Sequence, residues 1–359
     1  MTKTKKWSVE KANQWGEETP WLVGVNFIPS TAINQLEMWQ ADTFDPETID
    51  RELGWAEDLG FNAMRVYLHD LLWLQDAEGF KTRINQYLEI ADRHHIKTMF
   101  VLFDDCWRDD PRPGQQPTPQ PGIHNSGWVQ SPGTKVLKDP SQWVRLKDYV
   151  VDIVSTFGQD ERVVIWDIYN EPGNTLLPSL NLPLIPRLLK ILGQFIKHYL
   201  NSKPSRRLLE SAFEWARSAN PQQPLTAGLY CFIGTLDTKL NNISLALSDI
   251  VSFHFYHELE TMSEFVDELR KADRPLICTE YLARTSHCTF DTHLPYFKER
   301  NIHCFNWGLV SGKTQTIYSW TDYYPNGEEP PVWFHDIFRK DGSLYSEEEG
   351  ALIRSLTGK

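Results

Sequence analysis

The chain has 359 residues, of which 41% are hydrophobic, and its 36 basic and 48 acidic side chains give a formal net charge of −12. A chain of this length is long enough for two ordinary domains or for one α/β barrel. Because an acidic chain without a local lysine or arginine cluster is repelled by phosphate, no nucleic acid and no membrane are expected as partners. No stretch has the length and apolar character of a secretory signal or a membrane span.

The cysteines bear on the compartment and on metal binding. They are odd in number, widely separated and include no C-x-x-C pair, which argues for reduced thiols and against a disulfide framework or a zinc site. We therefore expect a cytoplasmic protein with no metal and no cofactor. The cysteines are Cys106, Cys231, Cys278, Cys288 and Cys304.

Eight short runs of aliphatic, β-branched and aromatic residues predict eight β-strands with helices between them. In chain order these runs are Trp21–Phe27, Ala63–Leu68, Thr98–Phe103, Val163–Tyr169, Leu225–Leu229, Ile250–Phe255, Leu276–Thr279 and Ile302–Trp307. Several are almost wholly apolar, as is typical of parallel strands covered on both faces. The pattern predicts an α/β fold, a single (β/α)8 TIM barrel over residues 1–359, with residues 1–20 as an N-terminal extension.

Capping residues mark the helices between these strands. Asp45 precedes a proline at the first helical position, and Ser346 and Glu349 have capping-box spacing near the C-terminus. Other helical patterns are Pro140–Ile153, Leu184–Leu200 and Arg206–Ser218. The stretches Asp109–Gly133 and Tyr323–Pro331 are rich in loop-forming residues and follow predicted strands. Loops at the C-terminal ends of barrel strands build the active face, although disorder is an alternative for the first stretch.

Two glutamates stand where predicted strands end. The fourth strand runs into Asn170-Glu171-Pro172, and the seventh carries Glu280. A carboxylate at such a place is costly to bury unless it is used or paired, and these two would face each other across the barrel mouth. Glycoside hydrolysis needs such a pair, because one carboxyl group protonates the leaving oxygen while the other attacks or activates water. A separation of about 5–5.5 Å gives retention, and roughly 6.5–9.5 Å gives inversion.

Together with these glutamates, His254-Phe255-Tyr256 on the sixth strand and Trp307 on the eighth resemble the pattern of glycoside hydrolase clan A. The resemblance is greatest to the cellulase-like glycoside hydrolase family 5, and it extends over the whole chain. It implies a retaining mechanism, with Glu171 as general acid/base and Glu280 as nucleophile. Since the acid must hold a proton near neutral pH, burial and the charge of Glu280 are expected to raise the pKa of Glu171.

The resemblance also implies supporting roles. Arg65 would hydrogen-bond the nucleophile and keep it ionised, Asn170 would hold the sugar 2-hydroxyl, and Trp307 would form the floor under the sugar. Tyr256 would donate to the nucleophile and His254 would contact substrate. The alternatives are an ordinary ion pair in the barrel wall for Arg65 and buried core positions for the residues on strand six.

Two features of the pattern concern histidines. His254 and His257 do not form a metal pair, because this spacing on a strand directs their side chains to opposite faces. Family 5 sequences usually carry a histidine at the end of strand three, where this chain has Asp104. We expect Asp104 to bind a pair of sugar hydroxyls, Trp107 to stack nearby and His124 to substitute for the missing histidine.

The sequence therefore predicts a retaining glycoside hydrolase that cleaves β-linked glycosides or oligosaccharides through a covalent glycosyl-enzyme. One alternative is a carbohydrate-binding barrel with impaired catalysis, against which the presence of both glutamates argues. The other is a barrel lyase or isomerase that uses lysine or metal chemistry. No lysine at a strand end and no convincing ligand cluster supports it.

Overall fold

The computed structural model describes residues 5–174, 202–230 and 239–359. Eight parallel strands form one sheet in the order β5-β4-β3-β2-β1-β8-β7-β6. The strands are β1 Val23–Asn26, β2 Ala63–Tyr67, β3 Lys97–Val101, β4 Val163–Asp167, β5 Leu225–Thr226, β6 Val251–His254, β7 Leu276–Tyr281 and β8 His303–Trp307. Each overlaps one predicted strand.

Helices follow most strands along the chain. They are α1 Val9–Glu18, α2 Gln35–Trp39, α3 Pro46–Asp58, α4 Asp70–Arg93, α5 Thr134–Leu137, α6 Trp143–Phe157, α7 over residues 202–218, α8 Lys239–Leu247, α9 Leu259–Leu269, α10 Phe290–Glu299 and α11 Glu347–Thr357. The predicted caps are present, since Asp45 accepts from the backbone N–H of Thr48 and Ser346 from that of Glu349. The helical pattern predicted at Leu184–Leu200 lies outside the described residues.

The sheet closes between its two end strands by a short contact. The first and last strands of the chain pair directly, with Val23 opposite Cys304. Strands β5 and β6 meet through an isolated parallel bridge between Leu229 and Phe253. There the Leu229 N–H donates to Ser252 and the His254 N–H donates to Leu229, at 3.0 and 2.8 Å. The predicted (β/α)8 barrel is therefore confirmed, with β5 shorter than predicted.

The barrel interior is apolar at one end and polar at the other. A cluster of side chains from different strands fills the end where the strands begin: Leu22, Ala63, Met99, Ile165, Ile250, Ile277 and Phe305. Trp15 of α1 packs there against His303, with ring centroids 5.6 Å apart. Polar side chains, Arg65 and Asp167 among them, are buried nearer the other end of the strands. The site is therefore expected at the C-terminal end of the barrel.

Two further sequence predictions concern thiols and membranes. Four cysteines lie in the described residues, and all are free: Cys106, Cys278, Cys288 and Cys304. The fifth, Cys231, lies outside these residues. None of the described helices combines the length and apolar character needed to cross a bilayer.

Candidate active site

The two glutamates lie close together at the C-terminal end of the barrel. Glu280 lies within β7 and Glu171 just after β4, and both are buried, at 5% and 8% exposure. His254, at the end of β6, lies between them. Its Nδ1 is 2.6 Å from Glu171 Oε1 and 3.3 Å from Glu280 Oε2. One oxygen of each carboxylate and this nitrogen all lie within 4.8 Å of one another.

Three side chains donate to the carboxylate of Glu280. Arg65 Nη1 and the Tyr67 hydroxyl both contact Oε1 at 2.9 Å, and the Tyr256 hydroxyl contacts Oε2 at 2.7 Å. Burial raises the pKa of both tyrosine hydroxyls well above its ordinary value, so they remain protonated donors. The arrangement suits an ionised carboxylate held in one orientation.

Arg65 is fully buried and uses its guanidinium in several directions. Besides Glu280, it contacts Asp167 Oδ2 through Nε at 3.1 Å and through Nη2 at 2.7 Å. Its remaining contacts are with Asn26, Tyr67 and Asn170, at 2.7, 2.6 and 2.7 Å. The structure thus places Arg65 both in an ion pair of the barrel wall and against the candidate nucleophile.

Glu171 has a different environment from that of Glu280. His254 donates to Oε1, while the Cys106 thiol, at 3.1 Å, and the Asn174 side chain donate to Oε2. Its backbone is left-handed, with φ of 43°, a conformation that costs about 1–3 kcal/mol for a non-glycine residue. The strained backbone thus lies at the residue whose carboxylate contacts His254.

The pKa of Glu171 departs from expectation. Burial raises it, but the charge of His254 and the hydrogen bonds from His254, Asn174 and Cys106 outweigh burial, and the pKa lies below its ordinary value. The expectation of a raised pKa was therefore wrong. Sequence reasoning included burial and the charge of Glu280 but none of these three donors.

Asp104 does not face the sugar cleft as expected. It is 1% exposed, and both oxygens already accept hydrogen bonds from the protein. Oδ2 accepts from Trp128 Nε1 at 2.7 Å, while Oδ1 accepts from Asn170 Nδ2 and from the Cys106 N–H, both at 2.9 Å. Burial raises its pKa to about 7. Asp104 therefore orients Asn170 and Trp128, and its buried carboxylate faces these protein donors.

His124 also lies elsewhere than predicted. Its Nδ1 contacts the Tyr318 carbonyl at 2.9 Å, and its ring packs among those of Trp107, Trp320 and His335. Burial lowers its pKa to about 4, so it is a neutral ring within an aromatic cluster. His124 therefore does not take the place of the strand-three histidine.

Three tryptophans pack close to the tyrosines that donate to Glu280. Trp307 is 9% exposed and packs edge-on against Tyr67 and Trp128, with centroids 5.9 and 5.7 Å apart. Trp107 is half-buried beside this cluster, and Trp320 packs edge-on against Tyr256 at 4.9 Å. Trp307 and Trp107 thus belong to an aromatic cluster that also includes Tyr67 and Tyr256, two donors to Glu280.

Several residues of the site were missed from the sequence. Tyr67 had a usable signal, because residues two apart on a strand share a face and Tyr67 follows Arg65 on β2. Asp167 had a similar one as the last residue of β4. Cys106 and Asn174 lie in loops whose local pattern gives no such indication.

The same cluster also has the chemistry of a metal site. Among the described residues, one group of three side chains brings potential ligand atoms together, namely Glu171, His254 and Glu280. His257 is not part of it, because its exposed side chain lies beyond the end of β6. The position between the two carboxylates is occupied by His254 Nδ1, which hydrogen-bonds Glu171.

Comparisons with solved structures agree with the fold. An exo-beta-1,4-mannosidase from Opitutaceae bacterium strain TAV5 matches with a TM-score of 0.60 and 16% identity over 94% of this chain and 60% of that one. The endo-beta-1,4-mannanase from Thermotoga petrophila gives 0.55 and 13% over 96% and 77%. A calcium-binding mutant of Bacteroides uniformis beta-glucuronidase 2 gives 0.55 and 10% over 94% and 34%.

This chain therefore spans about a third of that glucuronidase and 60% of the mannosidase. No curated protein matches the chain. A family model described as Cellulase (glycosyl hydrolase family 5) matches residues 56–313, which include both glutamates, Arg65, His254 and Trp307. The chain belongs to glycosyl hydrolase family 5, a family of glycoside hydrolases that act with retention of configuration.

Proposed function

We propose that this protein hydrolyses β-linked glycosides or oligosaccharides by double displacement, with Glu280 as nucleophile and Glu171 as general acid/base. The observation that carries the proposal is the closeness of the carboxylates, since one oxygen of Glu171 and one of Glu280 lie within 4.8 Å of each other. Such closeness supports the smaller carboxyl-group separation, about 5–5.5 Å, that retaining enzymes use.

The assignment of the two roles follows the resemblance of Asn170-Glu171-Pro172 and Glu280 to the family 5 pattern, and the donors to Glu280 support it. Glu280 receives Arg65 and two tyrosine hydroxyls, all of which favour the ionised form that a nucleophile requires. Glu171 shares a short contact with His254 Nδ1, a group able to hold or return a proton. We therefore assign nucleophilic attack to Glu280 and proton transfer to Glu171.

In the first step Glu280 attacks the anomeric carbon while Glu171 gives its proton to the departing glycosidic oxygen. The bond from the anomeric carbon to that oxygen breaks, and an ester to Glu280 forms. In the second step Glu171 takes a proton from water, whose oxygen attacks the anomeric carbon and releases Glu280. Formation of the ester removes the negative charge of Glu280, which favours the anionic Glu171 needed as a base.

The lowered pKa of Glu171 has a consequence for pH dependence. The first step needs the protonated form, which becomes scarcer as pH rises above a pKa that lies below the ordinary range. For substrates with a poor leaving group we therefore expect activity to be greatest on the acidic side of neutrality.

The first experiment identifies the sugar that the protein prefers in its substrate. Aryl β-glycosides of several sugars should be screened, beginning with β-mannosides because two structural neighbours are described as a mannosidase and a mannanase. At 16% and 13% identity those proteins suggest an order of testing and do not decide the sugar.

The decisive experiment removes the two carboxylates one at a time. With a dinitrophenyl β-glycoside, Glu280→Ala should form no glycosyl-enzyme, whereas Glu171→Ala should form it, because this leaving group departs without protonation. The Glu171 variant should then stall as the covalent intermediate, visible by intact-protein mass spectrometry. Added azide should restart turnover and yield the β-glycosyl azide.

A matched control is Glu89→Ala, which removes an exposed glutamate of α4 and should leave every step unchanged. An α-azide from Glu171→Ala, or a β-product rescued only in Glu280→Ala, would show that the roles are exchanged or the stereochemistry mistaken. Sugar binding by the wild type with no hydrolysis across the panel would favour a carbohydrate-binding barrel instead.

A further inference from the structure

Gly228 lies buried between β5 and Leu229, the residue whose bridge to Phe253 closes the sheet. Its φ is not in the left-handed region, so the backbone conformation at this position is open to any residue. A requirement for glycine here must therefore come from the surroundings of the missing side chain.

The missing side chain would meet the imidazole of His254. A Cβ at position 228 would lie 2.8 Å from Nε2 of this ring and 3.2 Å from its Cε1. Asn170 Oδ1 would be 3.7 Å away, which is an ordinary contact distance. A carbon atom 2.8 Å from a ring nitrogen overlaps with it, so one of the two groups would have to move.

The backbone cannot separate the two groups without opening the barrel. The Leu229 N–H donates to the Ser252 carbonyl at 3.0 Å, and the His254 N–H donates to the Leu229 carbonyl at 2.8 Å. These bonds belong to the contact that closes the sheet, and Gly228 directly precedes Leu229. An added side chain at position 228 would therefore displace the imidazole ring and not the strands.

The ring has little room on its other side. Its Nδ1 lies 2.6 Å from Glu171 Oε1, closer than in an ordinary N–H···O bond, and 3.3 Å from Glu280 Oε2. His254 is 3% exposed, and its Nε2 has no hydrogen-bond partner among the described residues. Since no second hydrogen bond from these residues orients the ring, its position on the side of Nε2 depends on packing, to which Gly228 contributes.

We infer that Gly228 is a positioning residue of the active site, whose lack of a side chain lets the His254 ring contact Glu171. Its catalytic consequence rests on the proposed function, in which Glu171 is the general acid/base. Because the ring cannot come closer to Glu171 than it already is, any displacement lengthens or redirects this hydrogen bond. Proton transfer to the leaving group would weaken, whereas Glu280 would keep its three other donors.

The first test is Gly228→Ala, measured on two aryl β-glycosides of the sugar found in the screen. A phenyl glycoside needs a proton from Glu171, whereas a dinitrophenyl glycoside does not. We expect kcat/KM to fall about tenfold or more for the phenyl substrate, as for loss of one charge-assisted hydrogen bond, and to stay within about twofold for the dinitrophenyl substrate. An equal loss on both substrates, or no loss on either, would overturn the inference.

Gly54→Ala is the matched control, because its added methyl group also meets a histidine ring, that of His94, but at an ordinary distance of 3.4 Å. Both substrates should react with this variant as they do with the wild type.

A second variant combines Gly228→Ala with His254→Asn, whose shorter side chain keeps a nitrogen near the place of Nδ1 and has no atom at the place of Nε2. In the His254→Asn background, Gly228→Ala should change the ratio of the two kcat/KM values by less than about twofold. A change as large as in the wild-type background would overturn the inference. This comparison also decides the matter if Gly228→Ala alone does not fold.

A measurement without substrate separates this inference from the proposed function. In isotope-labelled protein, the imidazole NMR resonances of His254, identified by their absence in His254→Asn, should shift in Gly228→Ala and not in Gly54→Ala. Unchanged resonances would overturn the inference and leave the glycosidase proposal standing. Shifted resonances in a protein that hydrolyses no aryl glycoside would overturn the proposed function and support the positioning of His254 by Gly228.

Discussion

Replacement of Arg65 by methionine should affect stability and activity through two different partners. Arg65 is fully buried and neutralises Asp167 and Glu280, at 2.7 and 2.9 Å. Removing one member of a buried ion pair costs about 3–5 kcal/mol, since it leaves an uncompensated charge. Asp167 is the more affected, because it is 0% exposed and its other oxygen has no hydrogen-bond partner among the described residues.

The loss of activity in Arg65→Met depends on Glu280, the other carboxylate that Arg65 contacts. Glu280 would keep both tyrosine donors and lose one charge-assisted hydrogen bond, which is worth about 1.5–3 kcal/mol. If that stabilisation is realised in the transition state, kcat/KM on an aryl glycoside should fall by about 10- to 150-fold. The double variant Arg65→Met with Asp167→Asn removes the stranded charge and should recover most of the stability but none of the activity.

The measurements are urea unfolding for the free energy of unfolding and initial rates for kcat/KM. Arg93→Met is the control, because it breaks an exposed ion pair with Asp50 that is worth at most about 1 kcal/mol. A double variant no more stable than Arg65→Met would refute the account of the stranded charge. Recovery of activity in the double variant would show that Arg65 acts through Asp167 and not through Glu280.

Two other predictions concern titrating groups. Burial raises the pKa of Glu52 to about 7, so the wild type should lose stability relative to Glu52→Gln as pH rises from about 4.5 to 7, by an amount on the order of 3 kcal/mol. Urea unfolding at pH 4.5 and 8 measures this, and equal differences at both would contradict it. Cys106→Ala removes a donor to ionised Glu171 and should move the basic limb of the pH–activity profile upward, whereas Cys106→Ser should restore it. A limb in the same place in all three proteins would rule out a positioning role for the thiol.

The sequence was sufficient for features with a local and repeated signature. Eight apolar runs predicted eight strands, because strand burial on both faces dictates composition directly. Glu171 and Glu280 were found because each follows or ends such a run. The caps at Asp45 and Ser346 were likewise readable, since a cap involves residues only a few positions apart.

The errors arose where long-range contacts decide the outcome. Asp104 was placed toward substrate, but Trp128 and Asn170, far from it along the chain, use its oxygens. The pKa of Glu171 was expected to rise, but it is set by donors from three separate segments, of which His254 is the strongest. Such contacts depend on how loops return to the barrel, and no periodic pattern encodes that.

Asp105 links the loop that carries Glu171 to Ser205 of α7. Its carboxylate accepts from the Tyr169 hydroxyl, the Gly173 N–H and the Ser205 hydroxyl at 2.5, 2.6 and 2.6 Å. Residues on both sides of the segment 175–201 are thus fastened to one buried group. Because Glu171 lies between Tyr169 and Gly173, loss of the Asp105 carboxylate would release the chain on both sides of Glu171 at once.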